Sequence, residues 1–359
     1  MIKNILFFLL LVTQLIYSQE PPILNSEGNE FHCQDPDGQN IVTLFTINDS
    51  DSDSIEGLSI QISEGYVEGE DSLYLFNATA HPNIEVETFD AVTGKLELKG
   101  PAGGDAFYVD LVAAVSDIKF LSTNPLPVTK AFSITIGSEN YLPSTGHFYE
   151  FIDQLNITWE EARIAAEGLD YYGLQGYLVT ITSEAENQIS AVQTNNVGWI
   201  GASDFEIEGD WRWVTGPEGD YDSGSGLPFW NGTWTLGVPY MDGSGNITGE
   251  IGTGFPAIDP VTAENMYSNW NEATVNAAGN LVGPLEPNQT GNEDYAHITS
   301  SNIGSVGTWN DLKNITPTVG DYQAKGYLVE YGGTQGEDIN LSLSTSTSLL
   351  MPTLNITPF

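Results

Sequence analysis

Short apolar stretches alternate with turn residues from residue 20 to about residue 140. The clearest are Ile41-Val42-Thr43-Leu44-Phe45, Leu58-Ser59-Ile60-Gln61-Ile62, Leu73-Tyr74-Leu75 and Lys95-Leu96-Glu97-Leu98, and Ala131-Phe132-Ser133-Ile134-Thr135-Ile136 closes the series. A strand sends successive side chains to opposite faces, so apolar residues at every second position between frequent turns predict an antiparallel β-sandwich. Tyr108 to Phe120 breaks the alternation and reads as partly helical, a crossover between strands.

The pattern changes near residue 140. All eight tryptophans lie between Trp159 and Trp309. A strand from Phe148 to Ile152 is followed by two helix starts, Thr158-Trp159-Glu160-Glu161 and Ser183-Glu184-Ala185-Glu186. Each places Glu three residues after a hydroxyl residue, the pattern in which the two side chains satisfy the free N–H groups of a helix start. The helices should run to about Glu167 and about Val192. Gly176 to Ile181, Val197 to Gly201, Trp211 to Val214 and Gly326 to Tyr331 read as buried or aromatic strands. Residues 215–294 are rich in Gly, Asn, Asp and Pro, with Phe229-Trp230, Trp234, Tyr267 and Trp270 as regular punctuation, and read as a long packed loop. Loops of such length inside a domain are usually functional or disordered. The stretch after Gly333 is rich in Ser and Thr and reads as a linker, or as the opening strand of a further module. The expected organisation is multidomain: an all-β sandwich over residues 19–140, an α+β domain with two helices and a long loop over 141–333, and a Ser/Thr-rich tail over 334–359.

Charge narrows the partners. The chain of 359 residues carries 49 acidic and 9 basic residues, a formal net charge of −40. Phosphate binding needs clustered Lys and Arg, so nucleic acid is excluded as a partner, and anionic membrane surfaces with it. Cations are favoured, although most of these carboxylates belong to a solvated surface. At the N-terminus, Lys3 precedes the apolar run Ile5 to Val12, and Ser18 offers a small residue for cleavage. This predicts a signal peptide over residues 1–18, and hence a secreted or cell-surface protein without membrane insertion. No cysteine stands at the cut, so a lipid-anchored start is not expected. The single cysteine, Cys33, allows no internal disulfide and reads as an idle thiol.

The candidate chemistry lies in residues 286–295, Glu-Pro-Asn-Gln-Thr-Gly-Asn-Glu-Asp-Tyr, and in Trp309-Asn310-Asp311. Calcium takes about six to eight oxygen ligands at roughly 2.3–2.6 Å from carboxylates, amides and water. Glu286, Asn288, Glu293, Asn310 and Asp311 are side chains of that kind. Pro287 admits a cis peptide that would turn both neighbours to one side. Trp309 would anchor the second group in the core. On chemistry alone, two unrelated polar loops account for these residues at least as well.

The order of several short motifs alters that balance. Residues 146–332 resemble a C-type lectin-like domain: Thr158-Trp159-Glu160-Glu161-Ala162 is similar to the family's first helix, Gly176 to Ile181 to its next strand, and Trp199-Ile200-Gly201-Ala202 to its core element. Glu286-Pro287-Asn288 and Trp309-Asn310-Asp311 resemble its calcium motifs, with Glu293-Asp294 at the familiar distance between them. The resemblance implies one Ca2+ held by Glu286, Asn288, Glu293, Asn310 and Asp311. It further implies a glycan whose vicinal hydroxyls meet the ion and Glu286, Asn288, Glu293 and Asn310, with a lean to mannose, glucose or fucose. The chain departs from the family in three ways. Its usual disulfides are missing: Ala166 and Val329 stand where one is expected, and Tyr295 and Asn314 near the other. Residues 272–285 stretch the run between Asn271 and Glu286. Gln289 replaces a ligand of an auxiliary site, so the expectation is a single ion.

In the first half, Asn48-Asp49-Ser50-Asp51-Ser52-Asp53, with Asp35 and Asp37 upstream, resembles the acidic loops of cadherin-like repeats, and a solvated acidic turn accounts for it equally well. The sandwich is accordingly expected to be cadherin- or immunoglobulin-like. The whole resembles the front end of flavobacterial secreted surface proteins with adhesion modules, though no secretion-sorting domain is visible. His32, His81, His147 and His297 stand apart from any recognisable catalytic motif, so no enzyme is expected. The sequence thus points to a calcium-dependent carbohydrate-binding adhesion protein. The alternative is a calcium-stabilised structural or protein-binding surface module.

Overall fold

The computed structural model describes residues 21–31, 37–124, 128–193, 197–241, 247–259, 261–271, 274–275, 281–282, 286–288, 292–299, 301–334 and 342–351. The predicted signal segment 1–18, His32, Cys33, Asp35 and Gln289 lie outside the described residues. The fold is predominantly β-sheet with few helices.

In the first module a six-stranded sheet runs in the order Asn29–Phe31, Ser344–Met351, Val128–Ile136, Leu58–Glu64, Lys95–Lys99, Glu85–Val86. A three-stranded sheet of Gln39–Asn40, Ile118–Ser122 and Asp71–Leu75 faces it. Phe120 from the smaller sheet meets Phe132 from the larger one edge to face at 5.1 Å, and both rings are fully buried. The predicted crossover is the helix Tyr108–Ser116, which buries Leu111, Ala114 and Val115. The strand expected at Ile41 begins later, at Leu44–Asn48; Ile41 and Val42 are buried but irregular.

The Ser/Thr-rich stretch corrects its expectation as a linker or the start of a further module. Ser344–Met351 is a strand of the first module's own sheet, antiparallel to Val128–Ile136 and parallel to Asn29–Phe31. Leu349 of the strand and Leu343 just before it enter the core, and Thr347 donates its hydroxyl to the carbonyl of Ile41 at 2.6 Å. Residues between Ile136 and Ser344 are therefore inserted between two paired strands.

That insert is built on an 11-stranded sheet whose central strand is Gly326–Tyr331. His147–Asp153 and Leu174–Leu178 pair with it antiparallel, and Gly198–Ser203 pairs with it in parallel. The helix Trp159–Glu167 carries the predicted reciprocal cap between Thr158 and Glu161. The second start is only half reciprocal. Ser183 accepts from Glu186 N, but the Glu186 carboxylate turns to Thr182, and the helix widens into a π-helical stretch over Asn187–Val192. The region 215–294 is less irregular than its composition suggests. Leu227–Met241 and Ile247–Pro256 form a long hairpin, held to the sheet where Trp230 faces Trp211 and Leu227 faces Trp213. Interleaved glycines hid that period from the sequence pattern.

The modules share their core. Leu58, Ile60 and Ile62 line one face of the Leu58–Glu64 strand, and Ser59, Gln61 and Ser63 on the opposite face are just as buried. Gln193 of the insert donates to the carbonyls of Ile62 and Thr93, and Tyr171 donates to the carbonyl of Ile136 at 2.8 Å. The alternation of a half-exposed strand was correct in period, but the second module covers its polar side. Among the described residues, no helix is long and apolar enough to cross a membrane.

Candidate metal and ligand site

Trp309 fixes one half of the site. It is fully buried and meets the rings of Trp213, Phe229, Tyr267 and Trp270 at 5.4 to 5.9 Å, while its indole N–H donates to Asn187 Oδ1 at 3.0 Å. The strand Trp309–Leu312 pairs with Tyr295–Ile298, placing Asn310 opposite His297 and Asp311 opposite Ala296. Asn310 and Asp311 are each 1 % exposed.

Backbone bonds carry the other half to it. Asn271 N donates to Trp309 O at 2.8 Å, and Glu286 N donates to Asn271 O at 3.0 Å. The extended run thus leaves and returns at one point, and within it Thr274–Val275 pairs with Leu281–Val282. The Glu286-Pro287 peptide is cis, and Asn288 N donates to Asp311 Oδ1 at 3.0 Å. Glu286, Asn288, Glu293, Asn310 and Asp311 are consequently neighbours. All but the deeper Glu286 line a cavity of about 480 Å³, which Lys313, Ile315 and Tyr322 also line.

The polar atoms here are poorly satisfied. Glu286 is 3 % exposed, and neither of its carboxylate oxygens makes a well-formed hydrogen bond, although Asp311 and Asn288 adjoin it. Asn310 donates from Nδ2 to the carbonyl of Asp311, leaving Oδ1 unbonded. Burial, with the charges of Asp311 and Glu293, pushes the Glu286 carboxyl up to about 10. An isolated buried carboxylate is costly enough that it protonates or takes a positive partner. Among the described residues, no three or more acids, histidines or cysteines form a metal-binding group by themselves. The oxygen set here is mixed, with Asn288 and Asn310 contributing amides.

Two further acids adjoin it that the sequence pattern did not single out. Asp204 is 3 % exposed; Oδ2 accepts from Gly209 N at 2.9 Å and Oδ1 is unbonded. Its carboxyl is pushed up to about 7 by burial and by Glu208, Asp294 and Asp311, against the Gly209 hydrogen bond. Glu208 is raised as well, by burial and by Asp294 and Asp311. Neither residue belongs to a local motif; only folding brings them to Asp294.

The positions expected for disulfides are filled by ordinary packing. Ala166 and Val329 are fully buried in the core. Tyr295 lies against Trp159 at 4.7 Å, and Asn314 ties down the start of the Trp159–Glu167 helix, with Oδ1 accepting from Glu160 N and its carbonyl accepting from Trp159 N. In the first module, Asp49 caps its own turn through Asp51 N and Ser52 N and accepts from Tyr108 at 2.6 Å. A second buried group of acids lies in the insert. Glu330 binds His147 at 2.6 Å and Thr180 N at 3.0 Å, the Thr180 hydroxyl also reaches Glu218, and Glu186 is raised to about 7 by burial and by Glu330.

No family model matches the chain. It is similar to Halomucin of Haloquadratum walsbyi (strain DSM 16790 / HBSQ001), 27% identical over 329 residues, which covers 89% of this chain and 3% of Halomucin. A match of that extent crosses both modules. Lectin BRA-3 of Megabalanus rosa is 32% identical over 95 residues, covering 26% of this chain and 56% of the lectin. The chain therefore spans less than two thirds of either relative. Two solved structures also match, the mouse and human scavenger receptor C-type lectin carbohydrate-recognition domains. They are 20% and 18% identical and cover 52% and 51% of this chain and 88% and 89% of their own, with TM-scores of 0.28 and 0.26.

Proposed function

We propose that the inserted module binds glycan through a calcium ion held by Glu286, Asn288, Glu293, Asn310 and Asp311. The observation that carries this is the buried Glu286 carboxylate with both oxygens unbonded, beside the unbonded Oδ1 of Asn310 at a cavity. Hard oxygen donors from acids and amides together suit calcium, which accepts irregular oxygen cages. The bound ion supplies coordination positions for two neighbouring sugar hydroxyls. Around them the amides of Asn288 and Asn310 donate to the hydroxyl oxygens, and the carboxylates of Glu286 and Glu293 accept the hydroxyl protons. Asn310 spends one N–H on Asp311 O and keeps the other. The likeness to a protein named as a lectin supports this reading. The Glu-Pro-Asn order inclines it to mannose, glucose or fucose, whose vicinal hydroxyls are equatorial.

We read the first module as a cadherin- or immunoglobulin-like sandwich that presents the second, and the whole as a secreted or cell-surface binding protein, not an enzyme. Residues 1–18 and the likeness to Halomucin support display outside the cell.

Calorimetric titration of the full chain with calcium, beside the variant Glu286→Ala with Asn310→Ala, tests the ion. Binding by the wild type and its loss in the variant are expected; equal binding in both would overturn the site. Mannan binding with and without chelator then separates a lectin from a calcium-ordered protein-contact module, which simple sugars would not compete.

A further inference from the structure

The chain has few basic residues, and nearly all those described are engaged. Lys130 pairs with Asp71 at 2.6 Å, Lys99 with Glu97 at 2.7 Å and Arg212 with Asp210 at 2.8 Å, and Arg163 bridges Glu160 and Glu167. Lys95 donates to Ser138 O, Lys325 donates to Gln323, and Lys119 lies over the Phe76 ring. Among the described residues, Lys313 alone of the lysines and arginines has no hydrogen bond, ion pair or ring contact. In a chain with 49 acids, a cation with no partner of any kind is an exception. Its place is the more telling: it lines the same cavity as Asn288 and Glu293. It is rooted directly after the buried strand Trp309–Leu312, so its backbone is fixed while its side chain is exposed. Ile315, 74% exposed, and Tyr322, 41% exposed, line the same cavity. Such an apolar rim suits the C–H face of a sugar ring.

We infer, resting on the glycan-binding reading above, that the cavity selects an acidic glycan, one carrying a carboxylate or sulfate that meets the Lys313 ammonium while its ring lies against Tyr322 and Ile315. The overall negative field disfavours anions at long range. At physiological ionic strength it is screened beyond about 8 Å, and the local contact then decides. An exposed charge pair is weak, so the selectivity is modest, about two- to fivefold.

Three matched sugars test this on the full chain with calcium: methyl glucoside, methyl glucuronide and glucose 6-sulfate, the last two differing from the first chiefly at the sixth carbon. The wild type should prefer the glucuronide, the 6-sulfate or both by that factor, and which one it prefers identifies the anion. Lys313→Gln should bring the ratio of anionic to neutral affinity to about one, and Lys313→Glu below it. A wild-type ratio of one, or a preference that survives in Lys313→Gln, overturns the inference and leaves the lectin reading standing. If calcium binds but none of the three sugars nor mannan does, both fail together.

Discussion

The backbone N–H of Glu286 donates to the carbonyl of Asn271 at 3.0 Å, closing the loop formed by residues 272–285. Because Asn271 is itself bonded to Trp309, the position of Glu286 depends on the strand that carries Asn310 and Asp311, and not on the content of the loop.

Replacing residues 272–285 by a short Gly-Ser connection should therefore leave calcium affinity within about threefold of the wild type, since loop length changes closure entropy only slowly. Calorimetry measures it directly. A loss of more than tenfold would show that the loop itself shapes the metal ligands.

The metal-free protein should lose stability as pH rises. Glu286 is held at about 10 in the fold against an ordinary 4.5, and Asp204 at about 7 against 3.8. Raised acids hold protons in the folded state that the unfolded chain has released. Their stabilising share is thus complete below the unfolded values and disappears as pH climbs toward the folded ones. Each group contributes up to about 1.4 kcal/mol per pH unit across its window. The proposed calcium site requires ionised carboxylates, so any stabilisation by added calcium should grow with pH. Melting curves from pH 5 to 9, in chelator and in excess calcium, read both trends. Glu286→Gln should flatten the slope in chelator; an unchanged slope would contradict this account of Glu286.

In the first module, Lys130 and Asp71 form a fully buried ion pair at 2.6 Å. Lys130→Met strands the Asp71 carboxylate in the core and should cost about 3–5 kcal/mol. The double variant Lys130→Met with Asp71→Leu should recover most of that loss in urea denaturation. Equal loss in single and double variants would mean that shape, not charge, governs the site.

Ending the chain at residue 341 should unfold the first module. The strand Ser344–Met351 bonds to neighbours on both sides, and Leu343 and Leu349 are each 1% exposed. Burying such side chains stabilises by about 1.5–3 kcal/mol apiece, before the pairing is counted. Addition of the missing segment as a peptide should restore a cooperative melt. A truncated chain that melts unchanged would refute the role of the strand.

The same strand shows what a local pattern cannot carry. Leu343, Ser344 and Thr345 read as a linker because hydroxyl residues dominate, yet Thr347 is buried by bonding to Ile41, a partner far away in sequence. Period-two alternation did locate Leu58–Glu64 and Lys95–Lys99. It could not show that Ser59, Gln61 and Ser63 face a second module. The candidate residues could be named from the sequence because Trp309-Asn310-Asp311 and Glu286-Pro287-Asn288 are compact stretches, and the structure brings these stretches together beside one cavity. Asp204 and Lys313 were not legible; each stands as a single ordinary residue, and only the folded neighbourhood distinguishes it.

The parallel pairing of Asn29–Phe31 with Ser344–Met351 has a mechanical consequence. A pull on the chain before residue 21 and after residue 351 drags these two strands past each other along their own length. Bonds loaded in this way share the force together and do not open one after another, so the pairing acts as a clamp. The inserted module lies outside the clamped path, between Ile136 and Ser344, and stays slack while the first module carries the tension.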